Sequence, residues 1–175
     1  MMKRRLVTTV LIGALFTAIG AYFGARQMAP EPAQSGAVHE LLNQTLPDVG
    51  GKPQRLDQWQ GKILVVNFWA TWCAPCVKEM PELSALQTEL KGKSIQIIGI
   101  GIDSASNIAE FAGKYQITYP LIVAGMSGAK FTRTLGNQAG GLPYTVIIGR
   151  KGELSKTYLG QLSIDELRRE LLTMQ

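Results

Sequence analysis

The chain has 175 residues, of which 46% are hydrophobic and 18% charged, so it has room for one globular domain with some accessory sequence. Four basic residues of the first 26 account for most of the +5 formal net charge, and beyond them 14 basic residues face 13 acidic ones. This mixed surface has no basic stripe or block of like charges, which excludes nucleic acid as a partner, and two cysteines are too few for a disulfide-stapled scaffold.

Residues 6–25 form an uncharged, largely apolar run. As a helix these 20 residues would extend about 30 Å, enough to cross the hydrocarbon core of a bilayer. Lys3, Arg4 and Arg5 precede the run, so the positive-inside rule places the amino terminus in the cytoplasm. We predict that residues 1–26 are a cytoplasmic stub and a single-pass signal-anchor in the cell inner membrane, with the rest in the periplasm. The alternative is a cleaved signal peptide, since Ala18 and Gly20 are small enough for a cleavage site.

Residues 27–44 are predicted to be a linker. They contain Pro30, Pro32, Ser35 and Gly36 and show little apolar periodicity. His39, the single histidine, lies in this segment, and we interpret it as a solvated side chain rather than a ligand or a catalytic base.

Residues 45–175 alternate strand and helix patterns. Gly50-Gly51 predicts a small hairpin, and residues 62–69 are a β-branched and aromatic run typical of a central strand. Apolar residues at helical spacing predict a helix over residues 74–90, with Pro75 in its first turn and Pro81 as a kink. The later elements are strands at 94–102, 121–123, 144–148 and 154–159, and helices at 108–115, 128–135 and 163–172. This order predicts an α/β domain with a central mixed sheet flanked by helices.

Cys73 and Cys76 lie directly after the central strand, where the predicted helix begins. The free N–H groups and the dipole of a helix start favour a thiolate at Cys73, which lowers its pKa and makes it a nucleophile. Cys76, one turn further along, can resolve the mixed disulfide that Cys73 forms with a substrate. Pro75 stiffens the turn between them.

Two plainer interpretations of the cysteine pair are a static disulfide and a metal site. A disulfide that closes so short a loop stabilises the folded state little. Zinc prefers four ligands, and the predicted domain offers no third cysteine and no histidine. We therefore predict a redox-active Cys73–Cys76 disulfide with no metal and no other cofactor.

The stretch VNFWATWCAPC at residues 66–76 resembles the active-site segment of thioredoxins. The continuation VKEMP at 77–81 is similar to the TlpA/ResA group of membrane-anchored, thioredoxin-like oxidoreductases, which includes the thioredoxins of cytochrome c maturation. The resemblance extends from residue 45 to the carboxyl end and includes GIGID at 99–103 and GLPYTV at 141–146. It implies a thioredoxin-like fold and thiol-disulfide exchange.

The resemblance also implies roles for individual residues. Pro143 would be the cis-proline that faces the cysteine pair, with Leu142 pairing its backbone with an extended substrate and Trp72 and Pro75 beside it. Cytosolic thioredoxins carry a proton-shuttling aspartate where this chain has Asn67, whose amide cannot titrate. Glu79, one helical turn after Cys76, is the expected substitute, and the alternative is a solvated first-turn glutamate.

Ala74 and Pro75 place no cation between the cysteines, which favours a reductant over an oxidant. A reductant outside the cytoplasm needs electrons from within. The resemblance therefore implies an electron donor of the DsbD/CcdA type in the membrane, and client proteins with disulfides, such as apocytochrome c or proteins with copper-site cysteines.

Three rival functions remain open at this point. A copper or haem chaperone would use the cysteines as ligands, although copper chaperones of this fold space their cysteines more widely and add a later histidine. A peroxidase on this fold would carry its nucleophile in a T-x-x-C context. A general periplasmic thiol oxidant would share the motif and differ in its reduction potential.

Overall fold

A computed structural model of the chain describes residues 32–174. The strands are β1 Thr45–Pro47, β2 Pro53–Arg55, β3 Ile63–Trp69, β4 Ile95–Gly101, β5 Leu121–Val123, β6 Tyr144–Ile148 and β7 Leu154–Leu159. The helices are α1 Pro32–Leu42, α2 Ala74–Glu89, α3 Ala105–Lys114, α4 Ser127–Thr134 and α5 Ile164–Thr173, and Leu56–Trp59 form a 3-10 turn.

Five strands form the central sheet, in the order β5-β4-β3-β6-β7. β3 lies in the middle, parallel to β4 and antiparallel to β6, and all seven of its residues are buried. Helices cover both faces of this strand, which is why its sequence is apolar without alternation. The predicted mixed sheet flanked by helices is confirmed.

The two faces of the sheet carry separate apolar cores. One core joins Val65 and Trp69 of β3 to α2, α3 and α5. The other joins Val66 and Phe68 to α1, α4 and the 3-10 turn. Side chains alternate between the faces along a strand, so neighbouring residues of β3 contribute to different cores.

β1 and β2 pair antiparallel in a separate two-stranded sheet, with Gly50 and Gly51 in the connection. The Asp48 carboxylate accepts hydrogen bonds from the N–H groups of Gly50 and Lys52, each at 2.9 Å. Asp48 also forms an antiparallel bridge with Ile122. The bridge attaches this small sheet to β5, the edge strand of the central sheet.

The prediction of a linker over residues 27–44 is wrong for residues 32–42, which form α1. Val38, Leu41 and Leu42 of this helix are at most 2% exposed and belong to the second core. Their spacing is helical, but the surrounding proline, serine and glycine residues hide it in the sequence. Pro32 starts the helix, where its missing N–H costs no hydrogen bond. The folded unit therefore begins at Pro32 rather than at residue 45.

The predicted membrane span at residues 6–25 lies outside the described residues, as do residues 26–31 of the expected stub and linker. Between residues 32 and 174, the structure contains no helix with the length and apolar character needed to cross a bilayer.

If α1 is part of the fold, Leu41→Ala should lower the free energy of unfolding by about 2–5 kcal/mol, because the side chain is fully buried. His39→Ala is the matched control on the exposed side of the same helix, with an expected change below about 0.5 kcal/mol. Chemical denaturation measures both variants. Equal effects would mean that α1 does not pack against the sheet.

Candidate active site

The cysteine pair lies where the central strand passes into a helix. β3 ends at Trp69, and Cys73 is the N-cap residue of α2. Cys73 and Cys76 form a disulfide, with their Cα atoms 5.3 Å apart, and the Cys76 N–H donates to Cys73 Sγ at 3.4 Å. Pro75 occupies the first turn, where its missing N–H donor costs no helical hydrogen bond.

The two sulfurs differ in their access to solvent. Cys73 is 6% exposed and Cys76 is fully buried. Trp72, the residue before Cys73, is 71% exposed. Of the two cysteines, Cys73 alone therefore keeps some contact with solvent.

The Leu142–Pro143 peptide bond is cis, as the resemblance implies. Tyr144, which follows, pairs with Phe68, so Leu142 and Pro143 lie level with the end of β3 that leads to Cys73. Leu142 is partly buried against both cores. The antiparallel register of β6 thus brings residues 142 and 143 to the same end of the sheet as the disulfide.

Glu79 is fully buried one helical turn after Cys76. Its Oε1 accepts a hydrogen bond from Asn67 Nδ2 at 2.8 Å, and its Oε2 accepts one from the Leu162 N–H at 3.0 Å. Asn67 Nδ2 also donates to Thr145 Oγ1 at 2.9 Å. A hydrogen-bonded chain therefore runs from β6 through β3 to α2 and the segment before α5.

Burial raises the pKa of the Glu79 carboxyl, and the hydrogen bonds from Leu162 and Asn67 oppose the rise without cancelling it. Glu82 adds a smaller electrostatic contribution in the raising direction. Among the described residues, Glu79 is the one charged side chain that is buried. It lies three residues after Cys76, and a carboxyl with a raised pKa takes up and releases a proton at a higher pH than an ordinary glutamate.

Asp103 holds the loop that precedes Cys73, a contact that the sequence did not reveal. Its Oδ2 accepts hydrogen bonds from the Thr71 hydroxyl and from the Thr71 N–H, the latter at 3.3 Å. Its Oδ1 accepts from Ser104 N–H at 2.7 Å and from Asn107 Nδ2 at 2.8 Å. Burial raises the pKa of Asp103, but these hydrogen bonds outweigh burial and leave it below its usual range. The available signals were its position two residues after β4 and its place in the GIGID stretch at 99–103.

Sequence reasoning also missed two exposed apolar side chains at this end of the sheet. Met126 follows β5 and is 85% exposed, and Leu159 ends β7 and is 60% exposed. The strand ends that precede these residues lie at the same end of the sheet as Cys73. Within residues 32–174, no three side chains of the His, Cys, Asp or Glu type form a group suited to a metal ion.

Comparison with known proteins agrees with this geometry. The sequence profile of the Redoxin family matches residues 29–171. The thiol-disulfide oxidoreductase ResA of Bacillus thuringiensis strain Al Hakam is 30% identical over 166 residues, which cover 94% of this chain and 90% of that protein.

Solved structures agree as well. A thioredoxin-related protein from Neisseria meningitidis serogroup B is 32% identical and superposes with a TM-score of 0.66, over 74% of this chain and 97% of that one. A secreted disulfide oxidoreductase of Mycobacterium tuberculosis, described as homologous to E. coli DsbE, is 23% identical with a TM-score of 0.65, over 77% and 98% of the two chains, and supports the fold alone. The chain therefore belongs to the Redoxin family, has the thioredoxin-like fold, and is a protein-disulfide oxidoreductase of the TlpA/ResA type.

Proposed function

We propose that this oxidoreductase works outside the cytoplasm as a reductase of protein disulfides, held to the inner membrane by residues 6–25. One observation carries the proposed chemistry. Cys73, at a helix start, keeps 6% of its surface exposed, while Cys76 is fully buried one helical turn before the buried Glu79. This arrangement separates the sulfur that attacks from the sulfur that resolves.

In the proposed reaction, the Cys73 thiolate attacks one sulfur of a client disulfide. A Cys73–client bond forms, the client S–S bond breaks, and the leaving client thiolate takes up a proton. Cys76 then loses its proton to Glu79 and attacks Cys73 Sγ. The Cys73–Cys76 disulfide forms and the second client thiolate leaves. The client gains two electrons and the protein loses two, so no cofactor beyond the cysteine pair is needed.

The surface around Cys73 fits an extended polypeptide client. We assign client contact to Trp72, Pro75, Leu142 and Pro143. Trp72 is mostly exposed and Leu142 is partly exposed at the same end of the sheet. Backbone pairing at Leu142 would bind clients without a strict sequence requirement, since main-chain groups are the same in every peptide.

The proposed direction is reduction, because the dipeptide Ala74-Pro75 supplies no cation to stabilise the reduced form. Electrons would come from a membrane donor of the DsbD/CcdA type. The client classes we propose are the haem-binding cysteines of apocytochrome c and the metal-site cysteines of oxidase assembly proteins.

A Cys76→Ser variant should accumulate as a mixed disulfide with its client, because the resolving sulfur is absent. The variant is expressed in cells, and the adducts are identified by mass spectrometry after non-reducing electrophoresis. Cys73→Ser is the control and should trap nothing. Adducts that form equally with Cys73→Ser, or adducts made of small thiols alone, would contradict the proposed protein-disulfide reductase.

Glu79→Gln should slow client reduction about tenfold or more, because the amide cannot take the proton of Cys76. Glu79 accepts a proton only when ionised, so its contribution is present above its pKa and is lost as pH falls through it. Since burial raises that pKa, the loss should begin at a higher pH than for an ordinary glutamate. Stopped-flow kinetics from pH 5 to 9 measure the profile.

Glu82→Gln is the matched control, on an exposed position of the same helix. Its maximal rate should equal that of the unmodified protein, with at most a small shift of the profile to lower pH, because the Glu82 charge slightly raises the pKa of Glu79. Denaturation curves recorded beside the kinetics establish that both variants are folded. A Glu79→Gln profile identical to that of Glu82→Gln would remove Glu79 from the mechanism.

A further inference from the structure

The end of the central sheet away from the disulfide, which we call the basic end, carries a cluster of cations. It consists of Lys62, Lys91, Lys93, Arg150 and Lys151. Lys62 precedes β3, the two lysines at 91 and 93 precede β4, and residues 150 and 151 follow β6. Because β3 and β4 are parallel and β6 runs antiparallel to them, these positions share one end of the sheet.

Local contacts confirm that these segments meet. The N–H of Ile63, next to Lys62, donates to the carbonyl of Ser94, next to Lys93, at 2.9 Å. A cleft of about 270 Å³ is lined by Lys62, Arg150 and Lys151, together with Leu42 at the end of α1. The disulfide lies at the opposite end of β3, a strand about 20 Å long.

The positive charge of the basic end is not neutralised within the described part of the chain. All five side chains are exposed, and none forms an ion pair with a residue between 32 and 174. Glu153 lies in the same turn as Arg150 and Lys151, and its carboxylate accepts a hydrogen bond from the Lys151 N–H at 3.1 Å. Nearby Glu89 pairs with Arg168. Within the segments 60–62, 90–94 and 149–153, five cations stand against one carboxylate, an excess of four positive charges.

The proposed tether places a lipid surface within reach of this end. Only residues 26–31 separate the apolar run from Pro32, and six residues span at most about 20 Å. α1 has 11 residues and is about 16 Å long, so Pro32 lies within that distance of Leu42 in the cleft. A bilayer in contact with the basic end is therefore compatible with the chain length.

We propose that the basic end docks on anionic phospholipid headgroups and turns the disulfide away from the bilayer. Lysine and arginine side chains beside a membrane are attracted to anionic lipid within a Debye length of its surface. The disulfide lies at the opposite end of β3. Docking by the basic end therefore leaves Cys73 facing clients in the surrounding solution.

Lysine acetylation of the full chain in lipid nanodiscs tests this docking. With phosphatidylglycerol in the disc, the four lysines of the basic end should react about fivefold or more slowly than in discs of phosphatidylcholine alone. High salt should remove the protection. Lys78 and Lys114, which lie elsewhere and are measured in the same digest, should react equally in both discs.

Paired variants sharpen the test. Lys62→Gln with Lys151→Gln should reduce the protection of Lys91 and Lys93, whereas Lys78→Gln with Lys114→Gln removes the same charge and should leave it unchanged. Equal acetylation in both lipids would overturn the docking. Protection that persists in phosphatidylcholine discs would also overturn it. Protection that appears only with two copies of the chain per disc would overturn it as well, because it would reflect a contact between proteins.

This inference rests on the proposed tether, and the failures are distinguishable. A full chain that does not enter nanodiscs would remove the tether and the docking together. Insulin reduction by the disc-bound chain is assayed separately and tests the redox chemistry whatever the lysine pattern shows.

Discussion

The junction between β3 and α2 is the constraint on which the rest of the site depends. A fully buried strand leads into a helix whose N-cap residue is Cys73, so the first sulfur meets the free N–H groups of the helix start at the protein surface. The same helix then carries Cys76 into the core within one turn. The difference in access between the two sulfurs follows from this one change of secondary structure, and the proposed order of the exchange steps depends on it.

Glu79 shows how a carboxylate can be kept in an apolar core. Burying a carboxylate is unfavourable unless hydrogen bonds replace water, and Asn67 and the Leu162 N–H supply two of them. These two hydrogen bonds lower the pKa of Glu79 by less than burial raises it. The pKa therefore stays above that of an ordinary glutamate, and the group remains able to take up and release a proton. Asn67 thus acts as a neutral donor, and in the proposed mechanism the titratable group is Glu79 on the facing helix.

The central strand, the redox helix and the cysteine pair could be predicted because short-range signals encode them: an unbroken apolar run, helical spacing and the C-x-x-C motif. α1 could not be predicted, because the linker-like residues Pro32, Ser35 and Gly36 hide the helical spacing of the few apolar residues that it buries. α3 begins at Ala105, where Ser104 caps it, rather than at the predicted residue 108. The apolar pattern starts only at Ile108, the first buried residue of this helix. The bonds of Glu79 to Asn67 and Leu162 join residues 12 and 83 positions apart, and no local pattern reveals such contacts.

The most direct measurement is the pH dependence of iodoacetamide alkylation in the reduced protein, followed residue by residue with mass spectrometry. Cys73 should react rapidly and titrate with a pKa below the ordinary thiol value of about 8.5, while Cys76 should stay unmodified in the folded state. A Cys73 that reacts no faster than Cys76, or that titrates at or above the ordinary value, would contradict the assignment of attacker and resolver.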